Sequence, residues 1–249
     1  MNIDGRTMHA KGWIAVAACA LAIVWTVPHR CGAAEPAKKP AAWAVGKRFE
    51  QALGQKTDLE LANAPLGAAL ARLSANHHVA IVLDRRVDPD RLLTLSVSGQ
   101  PLAEVLGEIA QSAGLGVSLA EPIVYLGPPA EAAALRTLVH LRRQEVAALP
   151  AARRTALSAA KAWGWDDLAT PRDLAESLAG EAHVKIAGLE RIPHDLWAGR
   201  RLPPMAWTDR LTLLAIEFGL AYEIEADGRT VRLVKIPARV VARRSFAGG

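Results

Sequence analysis

His77 and His78 are adjacent and are the most obvious metal or acid–base candidates in the chain. Zinc asks for three or four ligands converging in space, and no cysteine lies beyond Cys31 to help complete such a set. His183 recurs about 105 residues after His78, and each precedes a valine that opens an apolar run, so a helix-end or turn role suits both better. Asp166 and Asp167 follow Trp165, and His194 and Asp195 follow Pro193; in principle either pair could move protons. Neither adjoins a nucleophile motif, because the chain has no G-x-S-x-G, no H-E-x-x-H and no phosphate-cradling glycine loop. Asp167 instead precedes a helical run, where negative charge suits the helix dipole. Ser74, Ser96 and Ser98 fall at the ends of elements. The residues therefore point to no catalytic group, no metal ligand and no cofactor. Trp163, Trp165, Trp197 and Trp207 cluster late in the chain. Exposed indoles stack on sugars or anchor protein partners; buried ones fill a core otherwise built from alanine, which is the reading preferred here.

The elements that would position these residues come in two sets. Pro65-Leu66-Gly67-Ala68-Ala69-Leu70 opens a helical run that leads to the apolar stretch Val79 to Leu83. Pro171-Arg172-Asp173-Leu174-Ala175 opens another, leading to Val184 to Leu189. About 36 residues after each proline, at Pro101 and Trp207, a second helix begins, and these close at Gly114 and Gly219. Asn63 and Thr170 suit the caps of the first helices, and Thr208 suits the cap of the last. Asp58-Leu59-Glu60-Leu61 and Leu93 to Ser98 alternate as half-buried strands. Trp163 to Leu168 and Leu202 to Met205 stand in their places in the second set, the latter confined to an edge by Pro203-Pro204. Two terminal hairpins follow, Val117 to Leu126 and Leu220 to Val234, the second turning on Asp227-Gly228. The expected order in each set is β-α-β, then β-α-β-β, which is an α+β fold of two tandem small units. Between them, Ala130 to Leu149 and Ala151 to Ala162 read as helices broken by Pro150.

Composition agrees with a globular chain: 249 residues, 51% hydrophobic and 22% charged. Residues 1–34 join a basic head to the uncharged run Trp13 to Val27, then Pro28 and the small residues Gly32-Ala33-Ala34, as a secretory signal peptide does. That run is shorter than the roughly 20 residues a spanning helix needs, so membrane contact is expected only through this segment if it is uncleaved. Cleavage near Ala34 would remove Cys19 and Cys31, leaving a mature chain in the periplasm or outside the cell with no disulfide. The net charge of +5 over the whole chain is spread among isolated arginine pairs, too mild and scattered for nucleic acid.

Leu59 to Leu126 resembles the short periplasmic domain at the N-terminus of secretins and TonB-dependent signalling receptors. The resemblance is carried by Pro65 to Leu70, Val79 to Leu83 and Ser96-Val97-Ser98-Gly99-Gln100-Pro101-Leu102-Ala103-Glu104-Val105-Leu106, and it extends more faintly over Trp163 to Pro237. It implies two helices held between two small sheets, no cofactor and a role in docking envelope partners. Nothing in these residues corresponds to the pore or barrel that accompanies such domains, and no functional residue carries over.

The expected organisation is a signal peptide (1–34), a tether (35–56) with a short helix around Gly46 to Leu53, a first unit (57–128), a helical connector (129–160), a second unit (161–237) and a tail (238–249). The expected function is non-catalytic docking to an envelope protein or self-association, by strand addition at open edges. Ile123 and Tyr125, and Thr230 and Val231, mark the expected edges. The alternative is carbohydrate or peptidoglycan binding through Trp197 and Trp207, with a hydrolase third.

Overall fold

Leu59 and Leu61 alternate with Asp58 and Glu60, and this alternation builds the first ribbon. In the computed structural model, which describes residues 42–237 and Val240, both leucines are buried on one face of β1 (Lys56–Pro65). β1 pairs antiparallel with β3 (Leu92–Pro101), setting Leu59 opposite Val97 and Leu61 opposite Leu95. Between them run α2 (Leu66–His77) and β2 (Ala80–Leu83); α3 (Leu102–Ser112), β4 (Gly116–Ala120) and β5 (Ile123–Gly127) complete the first half. β2 lies parallel to β5 and β4 antiparallel to it, so β5 is the middle strand.

The second half repeats this path. β6 (Ala160–Trp165) pairs with β8 (Arg200–Ala206), and β10 (Thr230–Lys235) lies between β7 (Lys185–Ala187) and β9 (Leu220–Ile224). α6 (Pro171–Ala182) and α7 (Trp207–Ile216) are its helices. The correspondence reaches single backbone conformations. His78 and His183 both end their helices left-handed, at φ 55° and 50°, and Gly114 and Gly219 match at 65° and 67°. Left-handed non-glycine residues are uncommon, so their recurrence at one spacing is the structural trace of a duplication.

Several boundaries differ from expectation. Pro65 itself is the cap residue of α2, with Asn63 left-handed two residues before it. Thr170 does cap α6, accepting the Asp173 N–H at 3.2 Å, but α7 starts at Trp207, so Thr208 lies inside it. β6 begins at Ala160 and stops at Trp165, because the Leu168 N–H turns to the Trp197 carbonyl at 2.9 Å. β7 stops at Ala187, where Gly188 takes φ 89° and a 3-10 turn, Leu189–Arg191, follows. The short helix expected around Gly46 to Leu53 forms as α1 (Lys47–Leu53), but this part of the expected tether joins the first core: α1 buries Phe49, Ala52 and Leu53, and the Ala44 N–H donates to the His78 carbonyl at 2.8 Å. The expected signal segment 1–34 lies outside the described residues, as does the tail 238–249 apart from Val240.

The connector forms α4 (Pro129–Ala147) and α5 (Ala151–Ser158), broken at Pro150. α4 sets off tight against β4; a Cβ on Gly116 would stand 2.7 Å from the Ala132 Cβ, so a side chain there would push the helix away. The helix continues along α7 and β9, and the described residues form a single compact unit. Val124 and Leu126 face the first half's own core with Leu70, Leu106 and Ile109. Ala80, Val82, Ile123 and Tyr125, on the other face of that sheet, join Leu135, Leu138, Trp207, Leu211 and Leu214 in a core shared by both halves. No helix among the described residues is long and apolar enough to cross a membrane.

Candidate functional site

The strands expected to be open edges are the central strands of their sheets. Ile123 and Tyr125 lie on β5 with β2 bonded on one side and β4 on the other, and both are buried. Thr230 and Val231 lie on β10 between β7 and β9. Their backbone groups are already paired, so an added strand has nothing to bond there. The last strand of each hairpin reaches the middle by pairing parallel to a strand from much earlier in the chain. The unbroken apolar run Ile123-Val124-Tyr125-Leu126 is the sequence signal for this, since a strand buried on both faces lacks alternation.

Burial also removes the expected sugar platform. Trp207 is fully buried, and its indole N–H donates to the Leu178 carbonyl at 2.7 Å. Trp197 is only 7% exposed and stacks on Phe218 with ring centroids 5.9 Å apart. Trp163 and Trp165 are buried too and meet edge to face. No ring face of this set is free to lie against a sugar.

The polar candidates are consumed by local structure. The His77 ring bonds Thr57 at 3.2 Å and Gln55 at 3.0 Å, while burial and the neighbouring His78 charge hold its pKa below the usual imidazole value. His78 and His183 are exposed left-handed helix ends. Ser74 donates to the Val79 carbonyl and Ser98 to Asp58. Asp167 accepts the Gly199 N–H at 2.6 Å. No group of three metal-capable side chains occurs among the described residues.

Asp195 alone leads into a larger site. It pairs with Arg85 from the first half at 2.6 Å and accepts the Trp197 indole N–H at 3.0 Å. Burial pushes its pKa up, but Arg85 and the indole outweigh that and hold the carboxyl below its usual value. This pair stands on the rim of a cleft of about 500 Å³ between the halves. Leu83, Val87 and Pro89 wall it from the first half, and Trp165, Leu196 and Trp197 from the second.

Two buried carboxylates lie at the base. Asp84 takes bonds from Arg86 at 2.8 and 2.9 Å and from the Tyr125 hydroxyl. Arg86 continues to Glu131 on α4 at 2.7 Å and to the Ile216 carbonyl at the end of α7 at 3.0 Å. Desolvation and the Asp84 charge push the Tyr125 hydroxyl well above the ordinary phenol range. Glu217 follows α7 directly. Burial pushes its carboxyl up to about 7, a rise that Asp84 reinforces and that Arg200, 3.4 Å away, opposes. Arg200 also reaches the Leu83 carbonyl at 3.4 Å, so both halves hold it. Perturbed groups in a cleft mark a candidate site.

Among the described residues, three large hydrophobic side chains stand out in solvent: Leu168 (71% exposed), Leu92 (60%) and Leu196 (54%). Leu196 lines the cleft, and Leu168 is bonded through its N–H to Trp197 beside it. Leu92 follows the Pro89–Arg91 loop, whose carbonyls take the N–H groups of Gly67 and Leu66 at the first-half wall. A second cavity, of about 380 Å³ near Arg143 and Asp209, has none of these leucines. Sequence reasoning passed over Arg85, Arg200 and Glu217. A signal for Glu217 was present: it is the lone carboxylate within the apolar run Leu213 to Leu220.

No protein-family model matches this sequence, and no curated protein matches it. Among solved structures, a crystal structure of a putative anti-sigma factor from Parabacteroides distasonis is similar over 32% of this chain at 23% identity, with a TM-score of 0.27. The chain spans 38% of that protein's length. A likeness that short and that loose supports neither a shared fold nor a shared role.

Proposed function

We propose that this chain is a non-catalytic protein–protein docking module of the cell envelope, exported behind residues 1–34, whose partner seats in the cleft between the halves. The observation that carries the reading is the exposed Leu196 on the wall of a largely apolar cleft, with the exposed Leu168 bonded through its N–H to the adjoining Trp197. Soluble proteins seldom leave large apolar side chains clustered in water unless something covers them. Two helices against a two-stranded and a three-stranded sheet, twice over, support the resemblance to the short periplasmic domain of secretins and TonB-dependent receptors.

The route differs from strand addition. Among the described residues the longest exposed edges are β1 and β3, which are broken by register shifts and carry Lys56, Asp58 and Glu60, features that discourage edge pairing. The cleft favours an uncharged, apolar segment of the partner, because Asp84 pairs with Arg86 and Asp195 with Arg85 at its walls and Glu217 is buried at its base.

Quantitative capture from envelope extract tests this. The wild-type chain retains one partner at fixed stoichiometry, and Leu168→Glu with Leu196→Glu releases it while the fold persists. Retention by that double variant, or turnover of peptide, ester or glycoside substrates by the purified protein, overturns the reading.

A further inference from the structure

We propose that Glu217 is a proton-operated latch on the seam between the halves, holding the seam closed when its carboxyl is neutral and loosening it when the carboxyl is ionised. Its use to a partner rests on the docking role of the cleft; the latch itself is independent of any partner.

The geometry sets an acid where a negative charge is poorly served. Glu217 has a side chain only 3% exposed and occupies the first position after α7, at the negative end of the helix dipole. Across the seam, the Arg85 backbone N–H and guanidinium favour the ionised carboxylate, but burial outweighs them. Its one cationic partner within bonding reach, Arg200, is 3.4 Å away, long for a charge-assisted bond, and shares itself with the Leu83 carbonyl and the Trp165 ring. Asp84 lies close enough to repel it, and Arg86, which could offset that charge, is committed to Asp84, Glu131 and the Ile216 carbonyl. The groups facing Glu217 are thus Arg200 on β8, Asp84, Arg85 and Arg86 after β2, Tyr125 on β5 and Asp195 before β8. Asp195 is held low by its own partners, and Tyr125 and Arg86 are pushed up, away from neutrality.

The sign follows from linkage. The folded carboxyl titrates near 7, above the unfolded value of 4.5, so its contribution is complete below about 4.5 and is lost as pH rises through 7.

Urea unfolding of the whole mature chain at pH 5.5 and pH 8 measures the effect. The wild-type folding constant should fall on the order of tenfold between these conditions, and Glu217→Gln should remove that fall. Hydrogen exchange of the wild type should quicken with pH at β2 and β8 more than at α3, and the Glu217 carboxyl should titrate near 7 by carbon-13 NMR. Parallel pH curves for wild type and Glu217→Gln sink the proposal; so does a carboxyl titrating near 4.5, or an exchange change spread evenly over α3. Each of these can fail while the leucine variants still release a partner, so the two readings fall separately.

Discussion

In the first half, α3 buries Leu102, Val105, Leu106, Ile109 and Ala110 and leaves Glu104 in water; in the second, every residue of α7 is buried. The first core is built from apolar side chains, with Phe49 supplied by α1 and the uncharged Thr57 buried at its β1 edge. The second closes around charge. Arg210 on α7 makes a bidentate pair with Glu181 at 2.7 and 2.8 Å, and Asp209 pairs with Arg143 of α4 at 2.7 Å. The same chain path has thus been filled in two ways. One copy presents a helix with a single apolar stripe, and the other places its equivalent helix at the centre of the molecule, where the connector and the sister sheet cover what would be its solvent face. A copied unit need not remain a separate folding unit.

The largest expected effect tests that centrality. Trp207 and Leu102 hold equivalent first positions on α7 and α3, and both are fully buried. Trp207→Ala should cost about 3–5 kcal/mol and Leu102→Ala about 2–5 kcal/mol, because each leaves a cavity that packed neighbours refill poorly. Trp207→Ala also strips the Leu178 carbonyl of its donor. Because the halves share a core, each variant should shift one cooperative urea transition seen alike by tryptophan fluorescence and circular dichroism. Two separable transitions would mean that the halves fold apart.

The buried charge comes next. Arg210 is 2% exposed, and Glu181→Ala would leave its guanidinium unpaired in the core, a loss of roughly 3 kcal/mol; Arg210→Met, which removes the charge and keeps the bulk, should cost much less. Hydrogen bonds from Arg210 and Lys161 hold Glu181 down to about 2. That lowered carboxylate stabilises the fold above its unfolded value near 4.5, and the contribution should fade as pH falls toward 2. An acid titration in which Glu181→Gln and wild type lose stability in parallel would remove this distinction between the halves.

Much of this architecture can be read from residue types, and the failures have common causes. The repeat, the helix stripes of Leu66, Leu70 and Leu73 and of Leu102, Leu106 and Ile109, and the turns at Asp227-Gly228 and His183 follow from local chemistry. What was not legible depends on partners distant in sequence. Thr208, Asp209, Arg210 and Thr212 look like a solvent face until α4 brings Arg143 and the end of α6 brings Glu181. The middle place of β10 is set by its parallel pairing with β7, which its alternating sequence does not betray. The cleft is assembled from strand ends and loops of both halves, so its residues, Arg85 and Glu217 among them, share no local spacing.

The exposed leucines separate stability from binding. Leu168→Glu and Leu196→Glu change side chains that lie mostly in solvent and should move the unfolding free energy by no more than about 0.5 kcal/mol. Partner capture should weaken on the order of tenfold or more if these side chains anchor it. Leu92→Glu, on the first half's side, tells whether the partner spans both walls: an equal loss places it across the cleft, and an unchanged affinity confines it to the second half.

The smallest effect asks where the halves still behave alike. His78 and His183 are exposed, left-handed at φ 55° and 50°, and each is followed by a buried valine. A β-carbon in that conformation costs roughly 1–2 kcal/mol, part of which glycine returns through a more flexible unfolded chain. His78→Gly and His183→Gly should therefore each raise stability by up to about 1 kcal/mol, with unfolding midpoints shifted in the same direction. The His78 carbonyl also receives the Ala44 N–H, so its turn is held from outside and the gain there should be slightly smaller. If one variant stabilises and the other destabilises, the two turns have diverged in function as well as in packing, and the duplication survives only in the path of the chain.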